Sequence, residues 1–239
     1  MMSLLKNRSF LALHGLFFLM SVVAICLWGL LDHFSRTNIT LAQAGAMNDI
    51  PSTMAWNVFL ALVAYDAARL FTATTSKTLK VLSALVFIAF YPNTFYMLTD
   101  AVHFADWLSR DGKLDIIHTG AHTTIYFVWL GLGIFFGLLL GVFAAYHLLA
   151  AHWRLHPVVV GLASFVLIFL SSVAIYAGRD IALRLNSWNL VTRPFDTLGK
   201  LFAIISIRNL PFLISFTLLQ LFAIALLATL LPRKDTYEN

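Results

Sequence analysis

The sequence predicts an all-α integral membrane protein of six transmembrane helices, with an interfacial helix between the fifth and the sixth. Of its 239 residues 60% are hydrophobic and only 11% are charged, and mean hydropathy is +0.85, far from the balance of a soluble domain. Six stretches approach the roughly 20 apolar residues that a helix needs to cross a bilayer: 10–31, 54–73, 81–98, 125–149, 158–178 and 211–231. These runs are too long and too uniformly apolar for the alternating strands of a transmembrane barrel. The whole of 1–239 therefore reads as one transmembrane domain with short connections.

The first run follows Lys6 and Arg8, and Ala42-Gln43-Ala44 faintly resembles a signal cleavage site. A signal's apolar region is shorter, about 7 to 15 residues, and its cleavage site follows closely, so the run reads as a retained helix. Cys26 is the single cysteine, which rules out an internal disulfide and a CxxC metal or redox site. Trp56-Asn57 opens the second span. Asp66 and Arg69, three apart near its end, are spaced to pair as a membrane anchor.

The third span closes on Pro-Asn-Thr-Phe-Tyr-Met-Leu-Thr-Asp-Ala-Val-His, residues 92–103, the densest polar run within an apolar stretch. Pro92 cannot donate to the carbonyl of Ile88, so the helix should kink or end there. An unpaired polar group in hydrocarbon costs several kcal/mol by rough estimate, so such residues normally line a protein interior, a wet cavity or a site. Asp100 and His103 share a helical face, where a carboxylate orients an imidazole as a base or metal pair. Asp106 continues that spacing, and His118 with His122 adds an i, i+4 pair suited to a divalent cation. Two histidines four apart beside a membrane are more often surface residues, so a metal is not favoured.

In the fourth span Gly133, Gly137, Gly141 and Ala145 recur every four residues and form a face of small residues. Another helix can pack closely there, within the chain or from a second copy or membrane partner. The fifth span holds Ser171-Ser172 without a recognisable partner and ends on Tyr176-Ala177-Gly178-Arg179. Asn186-Ser187-Trp188 follows. Pro194 then opens a pattern of Phe195, Leu198, Leu201, Phe202 and Ile205 on one helical face, which predicts a helix in the membrane interface with Trp188 at headgroup level. Gln220, in the middle of the sixth span, should bond a neighbouring helix.

Six spans place both termini on one side, and lysines and arginines divide evenly between the two sides. Setting aside the five basic residues of 179–208, a segment that looks structured, leaves eight against three and makes both termini cytoplasmic. The net charge of +5 then lies on the cytoplasmic face, toward anionic lipid, and calls for no nucleic acid. The same topology brings Asn57, Asn93, Tyr96, Asp100, His103, Tyr176, Arg179, Asn186 and Trp188 to the other face, where a shaped polar site is expected of the set, the alternative being that each caps a helix end or meets headgroups.

These residues resemble a family of bacterial multi-pass membrane proteins catalogued as domain of unknown function family 1361. The likeness rests on Trp56-Asn57, Pro92-Asn93 with Tyr96, Thr99-Asp100 and His103, Ile175-Tyr176 with Gly178-Arg179, and Asn186-Ser187-Trp188. The family pattern often has a second proline where Phe95 stands and an acid where Asn189 stands. The resemblance implies a bacterial cytoplasmic-membrane protein and no particular reaction.

No nucleophile elbow or phosphate loop is present. Arg179 among the neutral donors Asn57, Asn93 and Tyr96 suits a phosphate or carboxylate, and lipid headgroups are the nearest such ligands. The leading expectation is an outward-facing site that binds or processes an anionic lipid or lipid-linked substrate. A small-solute transporter and a non-catalytic subunit docked through the glycine face are the alternatives.

Overall fold

The computed structural model of the chain describes residues 11–23, 26, 41–101, 120–151, 156–180 and 183–230, without the side chains of 41–53, 120–126, 150–151 and 157. All regular structure among them is helical: α1 (Leu11–Val23), α2 (Leu41–Ala73), α3 (Lys77–Phe90), α4 (Pro92–Tyr96) with a 3-10 turn at Met97–Asp100, α5 (Gly120–Ala151), α6 (Pro157–Arg179), α7 (Ser187–Thr192), α8 (Pro194–Ile204) and α9 (Leu210–Leu230). Five described stretches are long and apolar enough to cross a bilayer: Met54–Ala73, Lys77–Asp100, Phe127–Leu149, Val158–Arg179 and Leu210–Leu230. The stretch expected to cross first contains the shorter apolar helix α1. The protein is an all-α, multi-pass membrane protein.

Hydropathy locates the spans but not the helix ends. α2 begins at Leu41, well before the apolar run, because the intervening residues include good helix formers such as Ala42, Gln43, Ala44 and Met47. Local chemistry sets other boundaries. Ser76 caps α3 by accepting from the Leu79 N–H, and His156 caps α6 ahead of Pro157, whose missing N–H costs nothing in a first turn.

The core lies between α2, α4 and α5, with α6 and α9 packed together beside it. Val58, Ala61, Ala64 and Ala68 of α2, Phe95 and Met97 of the α4 segment, and Leu140 and Ala144 of α5 are buried there. Small residues on α2 and α5 let the backbones approach, the packing that holds helices together where lipid is as apolar as leucine. α3, α6 and α9 turn Leu82, Leu85, Leu162, Val166, Leu218 and Phe222 outward, as lipid-facing surfaces require.

The glycine face of α5 receives the chain's own segments. A Cβ at Gly141 would collide with the Thr94 side chain and lie 2.9 Å from Phe95 Cε2, one at Gly137 would strike Met97, and one at Gly133 would lie 2.9 Å from Met54 Sδ. The three glycines thus seat the end of the third span and the start of the second.

In α9 the buried positions are Leu213, Thr217, Gln220 and Ile224, one helical face. Gln220 Nε2 donates to Ser172 Oγ of α6 at 3.0 Å, and Ser172 Oγ lies 3.0 Å from Thr217 Oγ1. The sequence offers Ser172 no visible partner; helix rotation provides two. Toward the other end of the bundle, Asp66 and Arg69 do not pair as their spacing predicts. Asp66 Oδ2 lies 3.0 Å from His14 Nε2 of α1, and Arg69 Nη1 lies 3.1 Å from His147 Nε2 of α5.

Candidate functional site

The third span breaks where its proline predicts. Tyr91 keeps helical angles, with φ −54° and ψ −39°, yet the hydrogen-bond ladder is interrupted and restarts as α4. Two carbonyls at the break find local donors. The Asn93 amide donates to Phe90 O at 3.0 Å, and Thr94 supplies its N–H at 3.0 Å and its hydroxyl at 2.7 Å to Tyr91 O. The break thus redirects the chain. Beyond it the helix tightens into the 3-10 turn, which carries Asp100 inward.

Asp100 is 2% exposed. Asn57 Nδ2, from the first turns of the second span, donates to its Oδ2 at 2.8 Å, and the Arg179 guanidinium from the end of α6 acts on the same carboxylate. Arg179 also hydrogen-bonds to the Tyr96 side chain, whose hydroxyl feels the charges of Asp100, Arg179 and Arg184. Gly178 makes this approach feasible. A Cβ there would lie 3.0 Å from Tyr96 Cε2 and 3.2 Å from Leu185 O, so a larger residue would press on the tyrosine ring where it rests on the end of α6 beside Arg179.

Asn93 joins this wall to the segment after α6, donating to Ser187 Oγ at 2.8 Å. Trp188 meets Phe90 edge to face, with centroids 5.7 Å apart. Asn186 caps α7 by accepting from the Trp188 and Asn189 N–H groups, while Asn189 Oδ1 accepts from the Asn186 N–H at 2.7 Å. That reciprocal box accounts for position 189, where the family pattern often carries an acid: a carboxylate would accept the same bond. Asn186 is thus a helix cap. Tyr176 points elsewhere too, donating to Asn209 Oδ1 at 2.9 Å near the start of α9.

Of the residues the sequence singles out, Asn57, Tyr96, Asp100 and Arg179 come together, and Asn93 with Trp188 forms a flank. His103, Asp106 and His118 lie outside the described residues, and His122 stands on α5 where side chains are not described. Among the described residues no three His, Cys, Asp or Glu side chains group as metal ligands would. Ser187 and Arg184 are contributors that the sequence does not single out by role; Ser187 lies inside a noticed motif, while Arg184 carries no signal at all.

The family model for proteins of unknown function DUF1361 matches residues 56–223. The chain belongs to this family. The match runs from Trp56, next to Asn57, past Gln220, and so takes in every described contributor to the site. No curated protein and no solved structure is significantly similar to it. The family assignment thus fixes kinship and leaves the activity to be reasoned from the site.

Proposed function

We propose that this DUF1361 protein binds, and acts on, an anionic lipid or lipid-linked substrate at a one-sided polar site on the extracytoplasmic face of a bacterial cytoplasmic membrane. The observation that carries the reading is the convergence of Asn57, Asp100, Tyr96 and Arg179 from three spans at one end of the bundle. Burying a carboxylate costs several kcal/mol by rough estimate unless it is paired, and structural economy alone would place an apolar residue at position 100. Arg179 is the anion clamp, Asp100 the base or orienting group, and His103 its expected neighbour.

The segment beside the site fits a lipid ligand. Trp188, Val191, Phe195 and Phe202 are exposed, Phe195 at 88%, and Thr197 and Ile204 hold α8 to the protein from the opposite side. An amphipathic helix whose apolar side is largely exposed among the described residues suits the headgroup and acyl boundary, so a lipid headgroup would meet the site at its own depth.

The test is retention of lipid by the purified full chain in nanodiscs that mix phosphatidylglycerol with phosphatidylcholine. Wild type should enrich the anionic lipid, Arg179→Ala should lose that enrichment, and Asp100→Asn should keep the fold while abolishing function in a complementation assay. Equal retention of both lipids by wild type, or full complementation by Asp100→Asn, would sink the reading.

A further inference from the structure

We propose that α7 is a lid on the lipid-facing entrance to the site, clasped shut by the hydrogen bond between Asn93 and Ser187; this rests on the anionic-ligand reading above and adds how the ligand enters. Asp100 is 2% exposed, so a headgroup that meets it needs an element that gives way. α2, α4 and α6 are anchored, each burying several side chains. Among the described helices at the site α7 alone buries none, and a segment with few buried contacts opens at least cost.

Both ends of α7 are joints. Asn186 before it is extended, with φ −128° and ψ 171°, and Arg193 after it leaves the helix with φ −141° and ψ 62°. The chain ahead of the first joint is pinned. Arg184, with φ 41° the single described non-glycine residue in the left-handed region, is held there by its surroundings: its N–H donates to Asp180 O at 2.9 Å, and the Leu185 N–H donates to Ala177 O at 3.1 Å. Leu183 and Leu185 pack against the cluster of Val173, Ala177, Ile204 and Leu213. Beyond the second joint Thr197 and Ile204 fix α8, and Thr197 Oγ1 donates to Asn189 O at 3.0 Å, a tether on α7. A short helix fixed at both ends and buried nowhere can roll between them.

What resists the roll lies on the side of the third span. The Asn93 amide donates to Ser187 Oγ at 2.8 Å, and Trp188 meets Phe90 edge to face with centroids 5.7 Å apart. Rolling α7 toward the membrane interface, where Trp188 and Val191 already stand 49% and 62% exposed, breaks both contacts. It uncovers the flank of the third span that carries Asn93 and, one turn on, the Tyr96 ring resting on Gly178 next to Arg179. Opening strands no polar group: Asn93 still donates to Phe90 O at 3.0 Å, and the partly exposed Ser187 hydroxyl passes to water.

The test uses the full chain in phosphatidylcholine nanodiscs and a soluble, short-chain phosphatidylglycerol with a dansyl group on its acyl chain, whose binding is followed in stopped flow by energy transfer from tryptophan. Asn93→Cys with Ser187→Cys, in a Cys26→Ser background, is bridged by a short bis-methanethiosulfonate and freed by reductant. Bridging should abolish fast association, and reductant should restore it. Ser187→Ala removes the clasp without a bridge and should speed association and release together by about threefold to tenfold, the worth of one neutral hydrogen bond; it decides the matter alone if the double-cysteine variant does not fold. Bridged protein that binds as fast as the reduced form, or Ser187→Ala no faster than wild type, overturns the lid and leaves the anionic-ligand reading standing. Wild type that does not bind phosphatidylglycerol overturns both.

Discussion

Replacing Asn57 with alanine removes the amide that donates to Asp100 Oδ2 over 2.8 Å, and with Asp100 only 2% exposed water cannot fully substitute. A hydrogen bond to a charged group contributes about 1.5–3 kcal/mol, whereas measured side-chain hydrogen bonds in a membrane bundle average about 0.6 kcal/mol. Arg179 acts on the same carboxylate and takes up part of the loss, which places the Asn57–Asp100 coupling near the bottom of the charged range, about 1.5–2 kcal/mol, or roughly ten- to thirtyfold in the folding equilibrium. A double-mutant cycle of Asn57→Ala, Asp100→Ala and the pair, read by reversible unfolding in mixed micelles, isolates this energy. Each single change should destabilise, and the double should cost less than their sum. A coupling at or below the average of about 0.6 kcal/mol refutes a charged, paired carboxylate at position 100.

Glycines of the bundle should divide by what their missing β-carbons would meet. Gly141→Ala drives a methyl into Thr94 and Phe95 and should cost about 1–3 kcal/mol, while Gly161→Ala, with nothing within 4 Å, should be neutral or stabilise by up to about 1 kcal/mol; equal effects in unfolding titrations would contradict the packing. Gly178→Ala sets a Cβ 3.0 Å from the Tyr96 ring and should weaken anionic-lipid retention in nanodiscs, and unchanged retention would remove Tyr96 from the site. Gln220→Leu should stay within about 1 kcal/mol of wild type, because Gln220 Oε1 accepts no bond among the described residues and Nε2 is divided between Ser172 and Phe216 O; a loss of several kcal/mol on thermal unfolding would show that its bonds contribute more than that.

The spans and the membrane class were legible because burial in lipid writes itself into every residue of a run. The polar residues of the site were legible for the complementary reason: Asn57, Asn93, Asp100 and Arg179 are expensive at their depth. Their partners were not. Whether Asn93 reaches Asp100 or Ser187, and whether Tyr176 faces Arg179 or Asn209, depends on helix rotation of some tens of degrees, which an apolar run does not encode. Asp66 and Arg69 show the same limit, since local spacing favours their pairing and the packed histidines of α1 and α5 take them instead. Arg184 left no trace because its backbone conformation is produced by the closing of the turn, through Asp180 and the Ala177 carbonyl, and not by its own residue type.

The floor beneath Asp100 bears on whether the site faces one side or alternates between two. Below the carboxylate the chain packs Met97 and Phe95 against α5, with Tyr91 against the Phe95 ring, all three fully buried, with Met97 at Gly137 and Thr94 with Phe95 at Gly141. Among the described residues these side chains fill the space between α2, α4 and α5, and a path through them would require the third span to lift off the glycine face. Transport by that route would break the packing that holds the bundle together, whereas a one-sided site needs no such motion. The distinction is measurable with single-cysteine variants at Ser187 and Thr94 in a Cys26→Ser background, labelled by a membrane-impermeant maleimide from each face of sealed vesicles. Ser187→Cys should react from one face only and Thr94→Cys from neither. Labelling of Thr94→Cys from the face opposite to Ser187→Cys would mean that the floor opens, and with it the one-sided site would give way to a transporter.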